Sequence, residues 1–150
     1  MITENVTKKL FTIREFERME AAGIFPPDSR FELIRGEIIE MAEPTWPHCG
    51  RVNKLTDLFT STLGKTVIVS VQNAIFIKRP AKRMSRPRPD IAVLKRLPEL
   101  FGPFGPTPDE ILLLVEISDT TERYDHKTKA PLYAEAEISE YWILKIEGNP

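Results

Sequence analysis

ILLLVEIS, running from Ile111 to Ser118, is the longest uninterrupted apolar run in this chain, and it carries a carboxylate near its end where a core would take another aliphatic side chain. A run this short, apolar at successive positions, reads as a central strand covered on both faces. Strand alternation sets Val115 and Ile117 on one face and Glu116 and Ser118 on the other, alongside Leu112 and Leu114. An ionised Glu116 among leucines is costly unless it meets a cation, hydrogen-bond donors or water at the strand's end.

A second stretch repeats the design. DIAVL, Asp90 to Leu94, is a short buried strand opened by an acid, with Pro89 holding the approach extended. One strand-end acid is an ordinary surface group. Two of them, on neighbouring central strands, can converge on one point, and oxygen ligands of this kind suit Mg²⁺ or Mn²⁺. The backbone carbonyl of Ile117 adds a further ligand without any special side chain. Metal-assisted cleavage of a phosphodiester also needs a cation beside the phosphate and the attacking water. The position two residues past Glu116 holds Ser118, so a lysine has to come from elsewhere, and the following helix offers Lys127 and Lys129. Asp125 precedes Lys129 by four residues, which lets one helical face present an acid and a base to the sheet. The bland alternative for DHKTK is a solvated helix start.

Working outward, Thr12 to Ala22 reads as an amphipathic helix with a capping box from Thr12 to Glu15. FELIRGEIIEM, Phe31 to Met41, reads as a hairpin turning at Arg35-Gly36. His48 to Leu63 places Val52, Leu55, Leu58, Phe59 and Leu63 at helical spacing and ends at Gly64. Thr66 to Lys78 is a β-branched strand with a bend at Gln72-Asn73, Lys78 to Pro89 an exposed proline-rich loop, Tyr124 to Ala136 a helix, and Ser139 to Ile146 a last strand. This order predicts an α/β or α+β domain with a mixed central sheet flanked by helices, one domain over 1–150.

With 41% hydrophobic and 29% charged residues and a net charge of −1, the composition is that of an ordinary soluble protein and does not advertise nucleic-acid binding globally. No secretory leader is evident, and no run approaches the roughly 20 apolar residues of a membrane span, so the cytosol is the default expectation. The single cysteine, Cys49, has no evident companions for catalysis or zinc and fits a reducing compartment. Trp46, Trp142, Tyr133 and Tyr141 tempt a base-stacking reading, but three of the four lie at spacings of helix–sheet packing, and they are read as core.

RPDIAVL, followed by LLLVEISDTTERYDHKTKAPLYAEAEISEYWIL and preceded by RFELIRGEIIEM and a histidine after PTWP, resembles the Uma-type family of restriction-endonuclease-like proteins, within the PD-(D/E)xK nuclease superfamily. The resemblance covers nearly all of the chain from Arg30 to Leu144 and implies a restriction-endonuclease-like core. It implies Asp90 as the motif aspartate, Glu116 as the second acid, and Lys129 as the lysine of the pattern Asp125, Lys129, Tyr133 on the helix after the strand. Glu32 and His48 match the family's early glutamate and histidine, in the metal or water shell. Two departures stand out: Ser118 occupies the strict superfamily's lysine position, and the chain stops at KIEGNP where family members continue, so a shortened or truncated C-terminus is expected. The implied activity is Mg²⁺- or Mn²⁺-dependent cleavage of DNA, with a homodimer to cut both strands.

The basic connector fits that reading. Lys78, Arg79, Lys82, Arg83, Arg86 and Arg88 crowd into the residues running into Asp90 and offer phosphate contacts, or else form a solvated loop. Competing expectations are a catalytically silent nucleic-acid-binding or assembly module of the same fold, and a small hydrolase of another phosphate ester.

Overall fold

The computed structural model describes residues 5–96, 101–103, 105–119 and 121–146. Helix α1 spans Ile13–Ala21, with the expected reciprocal capping box between Thr12 and Glu15. Strands β1 (Arg30–Ile34) and β2 (Glu37–Met41) form an antiparallel hairpin. Its two turn residues both take positive φ, 50° at Arg35 and 82° at Gly36. This is the turn whose twist matches that of the strands. A Cβ on Gly36 would come within 2.8 Å of Leu10 Cβ, so the position requires glycine.

Helix α2 spans Trp46–Leu63, with Thr45 as N-cap and Pro47 in its first turn. Strands β3 (Val67–Val71), β4 (Ile91–Lys95), β5 (Ile111–Ser118) and β6 (Tyr141–Lys145) form one sheet in that spatial order. The first three are antiparallel and β6 runs parallel to β5, so the sheet is mixed and β4 and β5 are its central strands, as expected.

One face of the sheet packs on α2 through Val52 and Phe59 against Ile91, Val93, Leu113, Val115 and Ile117. The other face, with Ala92, Leu94 and Leu114, is covered by Leu132 and Tyr133 of the last helix and by Ile34, Ile75 and Ile77. Helix α1 lies on the hairpin through Ile13, Phe16, Leu33 and Phe76. Among the described residues, no helix is long and apolar enough to cross a membrane.

The last helical run is not a regular α-helix. Helix α3 (Glu122–Tyr124) and helix α4 (Ala130–Glu135) are joined by a π turn over Asp125–Lys129, in which the Ala130 N–H reaches the Asp125 carbonyl. Pro131 has no N–H to give the preceding turn, so the ordinary ladder is interrupted here and a wider turn fills the gap.

Several expectations are corrected. The strand after α2 stops at Val71, because Gln72 takes a left-handed φ of 54°. Beyond it, residues 72–77 run antiparallel to 85–90 through the Gln72 to Asp90, Ile75 to Pro87 and Ile77 to Ser85 backbone hydrogen bonds. Lys78–Pro89 is therefore not wholly an exposed loop: Ser85, Pro87 and Pro89 are buried and only the tip is open. Leu112 is exposed, because the β4–β5 register shifts between Val93 and Leu94 and the bulge turns it outward. Leu58 is exposed on the outer side of α2. Trp46, at 87% exposure, and Trp142, at 40%, are not core: Trp46 starts α2 beside a loop, and Trp142 lies on the edge strand.

A carboxylate cleft at the end of the sheet

The β4–β5 register pairs Ile91 with Val115, Ala92 with Leu114 and Val93 with Leu113. One further step sets Asp90 opposite Glu116, and directly opposed residues share a sheet face. Both side chains lie at the floor of a cleft also lined by Glu32, His48, Arg88, Asp125 and Lys129. They are 4% and 6% exposed, respectively.

Each acid is held by one oxygen. Asp90 Oδ2 accepts the Ile117 N–H at 2.7 Å and faces His48 Nε2 at 3.1 Å. Glu116 Oε1 accepts from Lys129 Nζ and from the Tyr133 hydroxyl, both at 3.2 Å. The other oxygen of each acid takes no hydrogen bond among the described residues. The Ile117 N–H points towards β4, and residues 114 and 118 bond to the β6 side, so the Ile117 carbonyl also faces the Asp90 side of the strand.

Lys129 is 1% exposed and sits between two carboxylates, 2.7 Å from Glu32 Oε2 and 3.2 Å from Glu116 Oε1. Glu32 Oε1 in turn accepts the Arg88 N–H at 3.2 Å. Burial opposes the charge on Lys129, but attraction to Glu116 and then Glu32 outweighs it, and the ammonium is held above lysine's ordinary range. Glu116 moves the other way from a surface acid. Burial, opposed by Lys129 but reinforced by Asp90 and Glu32, pushes its carboxyl up to about 8. Asp125 is also raised, chiefly by burial, and is steadied by hydrogen bonds from Ser118 and from Thr121 at 3.0 Å. Four buried acids thus line the cleft with one buried ammonium, which touches Glu32 and Glu116, and acids outnumber cations among the lining residues.

His48 is buried at the start of α2, placed there by the Thr45 cap, and its Nδ1 has no partner among the described residues. No three His, Cys, Asp or Glu side chains among the described residues are gathered as a ready-made ligand cage. Two carboxylates and a carbonyl, completed by water, is nevertheless the way magnesium is commonly held. The free carboxylate oxygens and the excess of acids fit such an ion.

The structure thus brings Asp90, Glu116, Ile117, Lys129, Glu32, His48 and Asp125 to one place. It does not keep the six basic residues together. Arg86 pairs with Glu20 at 3.0 Å and Glu17 at 3.6 Å, and Arg88 reaches Glu20 at 3.5 Å, although Arg88 also lines the cleft. Lys78, Arg79, Lys82 and Arg83 are exposed at the hairpin tip. Met84 there bonds to Gly36, at the turn end of β1–β2, whereas Arg88 bonds to Glu32 near the cleft, four residues back. At strand spacing that separation is about 13 Å, and the tip lies farther still. Arg30, which opens β1 and lines the cleft with no ion-pair partner among the described residues, escaped the sequence reading. So did the holding role of the Tyr133 hydroxyl, although its spacing of four from Lys129 was visible.

No curated protein matches the chain in sequence. Among solved structures, the chain is similar to one described as "a putative nuclease belonging to DUF820" from Anabaena variabilis, with a TM-score of 0.63 and 18% identity, covering 90% of this chain and 74% of that one. That likeness gives the fold, a nuclease-like one. The profile of the family Uma2, described as "Putative restriction endonuclease", matches residues 13–149, and this chain belongs to that family.

Proposed function

We propose that this protein is a divalent-metal-dependent nuclease that hydrolyses phosphodiester bonds in DNA at the cleft between β4, β5 and the π turn. The observation carrying this reading is the opposed pair Asp90 and Glu116, each with one uncommitted oxygen, beside a buried Lys129. Asp90, Glu116 and the Ile117 carbonyl would hold Mg²⁺ or Mn²⁺. When bound, the ion would supply Lewis acidity towards a phosphate oxygen and towards water.

The chain's own groups do the rest. Lys129 stays protonated, so it serves as a fixed positive charge and hydrogen-bond donor towards the attacking water or the phosphate, not as a base. Glu32 and Tyr133 hold the Lys129–Glu116 pair in place, and His48 and the Ile117 N–H orient Asp90. Asp125, anchored by Ser118, fixes the π turn that carries Lys129. In the net reaction water adds to phosphorus, one P–O ester bond breaks, and the leaving oxygen takes a proton. The exposed cations of the hairpin tip would contribute sequence-independent attraction to the backbone, away from the reacting phosphate. A homodimer would bring two such sites to one DNA molecule.

Nicking of supercoiled plasmid with Mg²⁺ or Mn²⁺ tests the proposal, with Asp90→Ala and Glu116→Ala as controls. Ion-dependent nicking by the wild type that both variants lose is the expected result. Absence of nicking, together with no calorimetric binding of either ion, would instead indicate a silent binding module.

A further inference from the structure

Resting on the nuclease reading, we propose that Trp46 is a stacking platform for an unpaired base, so that single-stranded or locally unpaired DNA is the preferred substrate. The indole is 87% exposed, the most exposed large apolar side chain among the described residues. It is nevertheless not on a loose segment: Thr45 caps the helix that begins with Trp46, and Pro47 stiffens its first turn. Its chain neighbours Pro44, Thr45 and His48 line the carboxylate cleft, so the backbone of Trp46 runs along the cleft's edge while its ring stands outside the lining. At that exposure the ring takes little part in packing among the described residues.

The depth of the site points the same way. Asp90 and Glu116 lie at the floor and are almost fully buried, so a phosphate must enter the cleft to reach them. A flexible single strand can lower one phosphate into such a recess, whereas the rigid backbone of a continuous duplex holds its phosphates at the outside of the helix. Arg30 and Arg88, which line the same cleft, meet the strand's phosphates, and the indole takes the face of an adjacent base. Stacking on an aromatic ring is tolerant of sequence, and this arrangement reads strandedness instead of base identity.

The test compares wild type, Trp46→Ala and Trp46→Phe for binding of a fluorescein-labelled 12-nucleotide single strand and of the same sequence as a blunt duplex, in EDTA so that nothing is cut. The expected result is a roughly five- to hundredfold loss of single-strand affinity in Trp46→Ala, near-normal affinity in Trp46→Phe, and little change for the duplex. In a Trp142→Phe background Trp46 is the only tryptophan, and its emission should be quenched by the single strand. Unaltered single-strand binding in a folded Trp46→Ala, or equal losses for both DNA forms, overturns the platform while leaving the nuclease reading intact. A wild type that binds neither form at low salt overturns the platform, while the ion-dependent plasmid-nicking assay decides the nuclease reading separately.

Discussion

Asp90 stands across the end of the sheet from Glu116, one step beyond the Ile91–Val115 pair, and both carboxylates lie on the face covered by α4. Two side chains distant in sequence are thereby brought into one cleft by backbone pairing alone.

Among the described residues Lys129 is the only ammonium in contact with Glu32 and Glu116, so removing it leaves buried negative charge uncompensated. Lys129→Met is expected to destabilise the fold by about 3–5 kcal/mol at pH 8. Urea denaturation should show the loss shrinking when Glu116→Gln is added, because the charge left behind is then smaller.

The raised Glu116 carboxyl makes stability depend on pH in a defined direction. Its folded value, about 8, exceeds its unfolded value near 4.5, so the folded state binds the extra proton, and this group's contribution is lost as pH rises between those values. A divalent ion held by Glu116, as proposed, would compete with that proton. Thermal melts should therefore show a larger Mg²⁺- or Mn²⁺-induced rise in Tm at pH 8.5 than at pH 6, and Glu116→Gln should flatten the difference.

His48 reaches Asp90 through Nε2. Outer partners of this kind typically contribute about 10- to 100-fold in metal affinity or activity. His48→Ala should weaken ion binding by that range in calorimetry with little change in Tm, and His48→Gln should restore part of it by offering a donor at similar reach.

The hairpin tip and the cleft are expected to separate experimentally. Neutralising Lys78, Arg79, Lys82 and Arg83 together should lower DNA affinity at low salt and flatten its dependence on salt concentration, while turnover at saturating DNA is kept. Unchanged binding at low salt would remove the tip from the DNA interface.

The central strands, the hairpin, the first two helices and the mixed sheet were legible because each rests on local signals: a capping box, an Arg-Gly turn, an apolar run of strand length. The acids were legible for a related reason, since a carboxylate in an aliphatic strand needs an explanation that a surface acid does not. The basic connector misled, because closeness to Asp90 along the chain says nothing about the antiparallel return of residues 72–77 beside it, which carries the tip away from the cleft. Arg86 was obscured for the same reason: its partners Glu17 and Glu20 lie on α1, far away in sequence. Trp46 read as core because helical spacing cannot show which turn of a helix overhangs the sheet.

The π turn has a consequence for when the chain can act. A lysine two residues from Glu116 would accompany it on the same strand as soon as that strand formed, but here the positive charge arrives on a separate helical segment, anchored through Ser118 and Asp125. Partly folded chains with the sheet assembled and this segment undocked would have their acids but not their ammonium, so the proposed site would be complete only once this segment has docked.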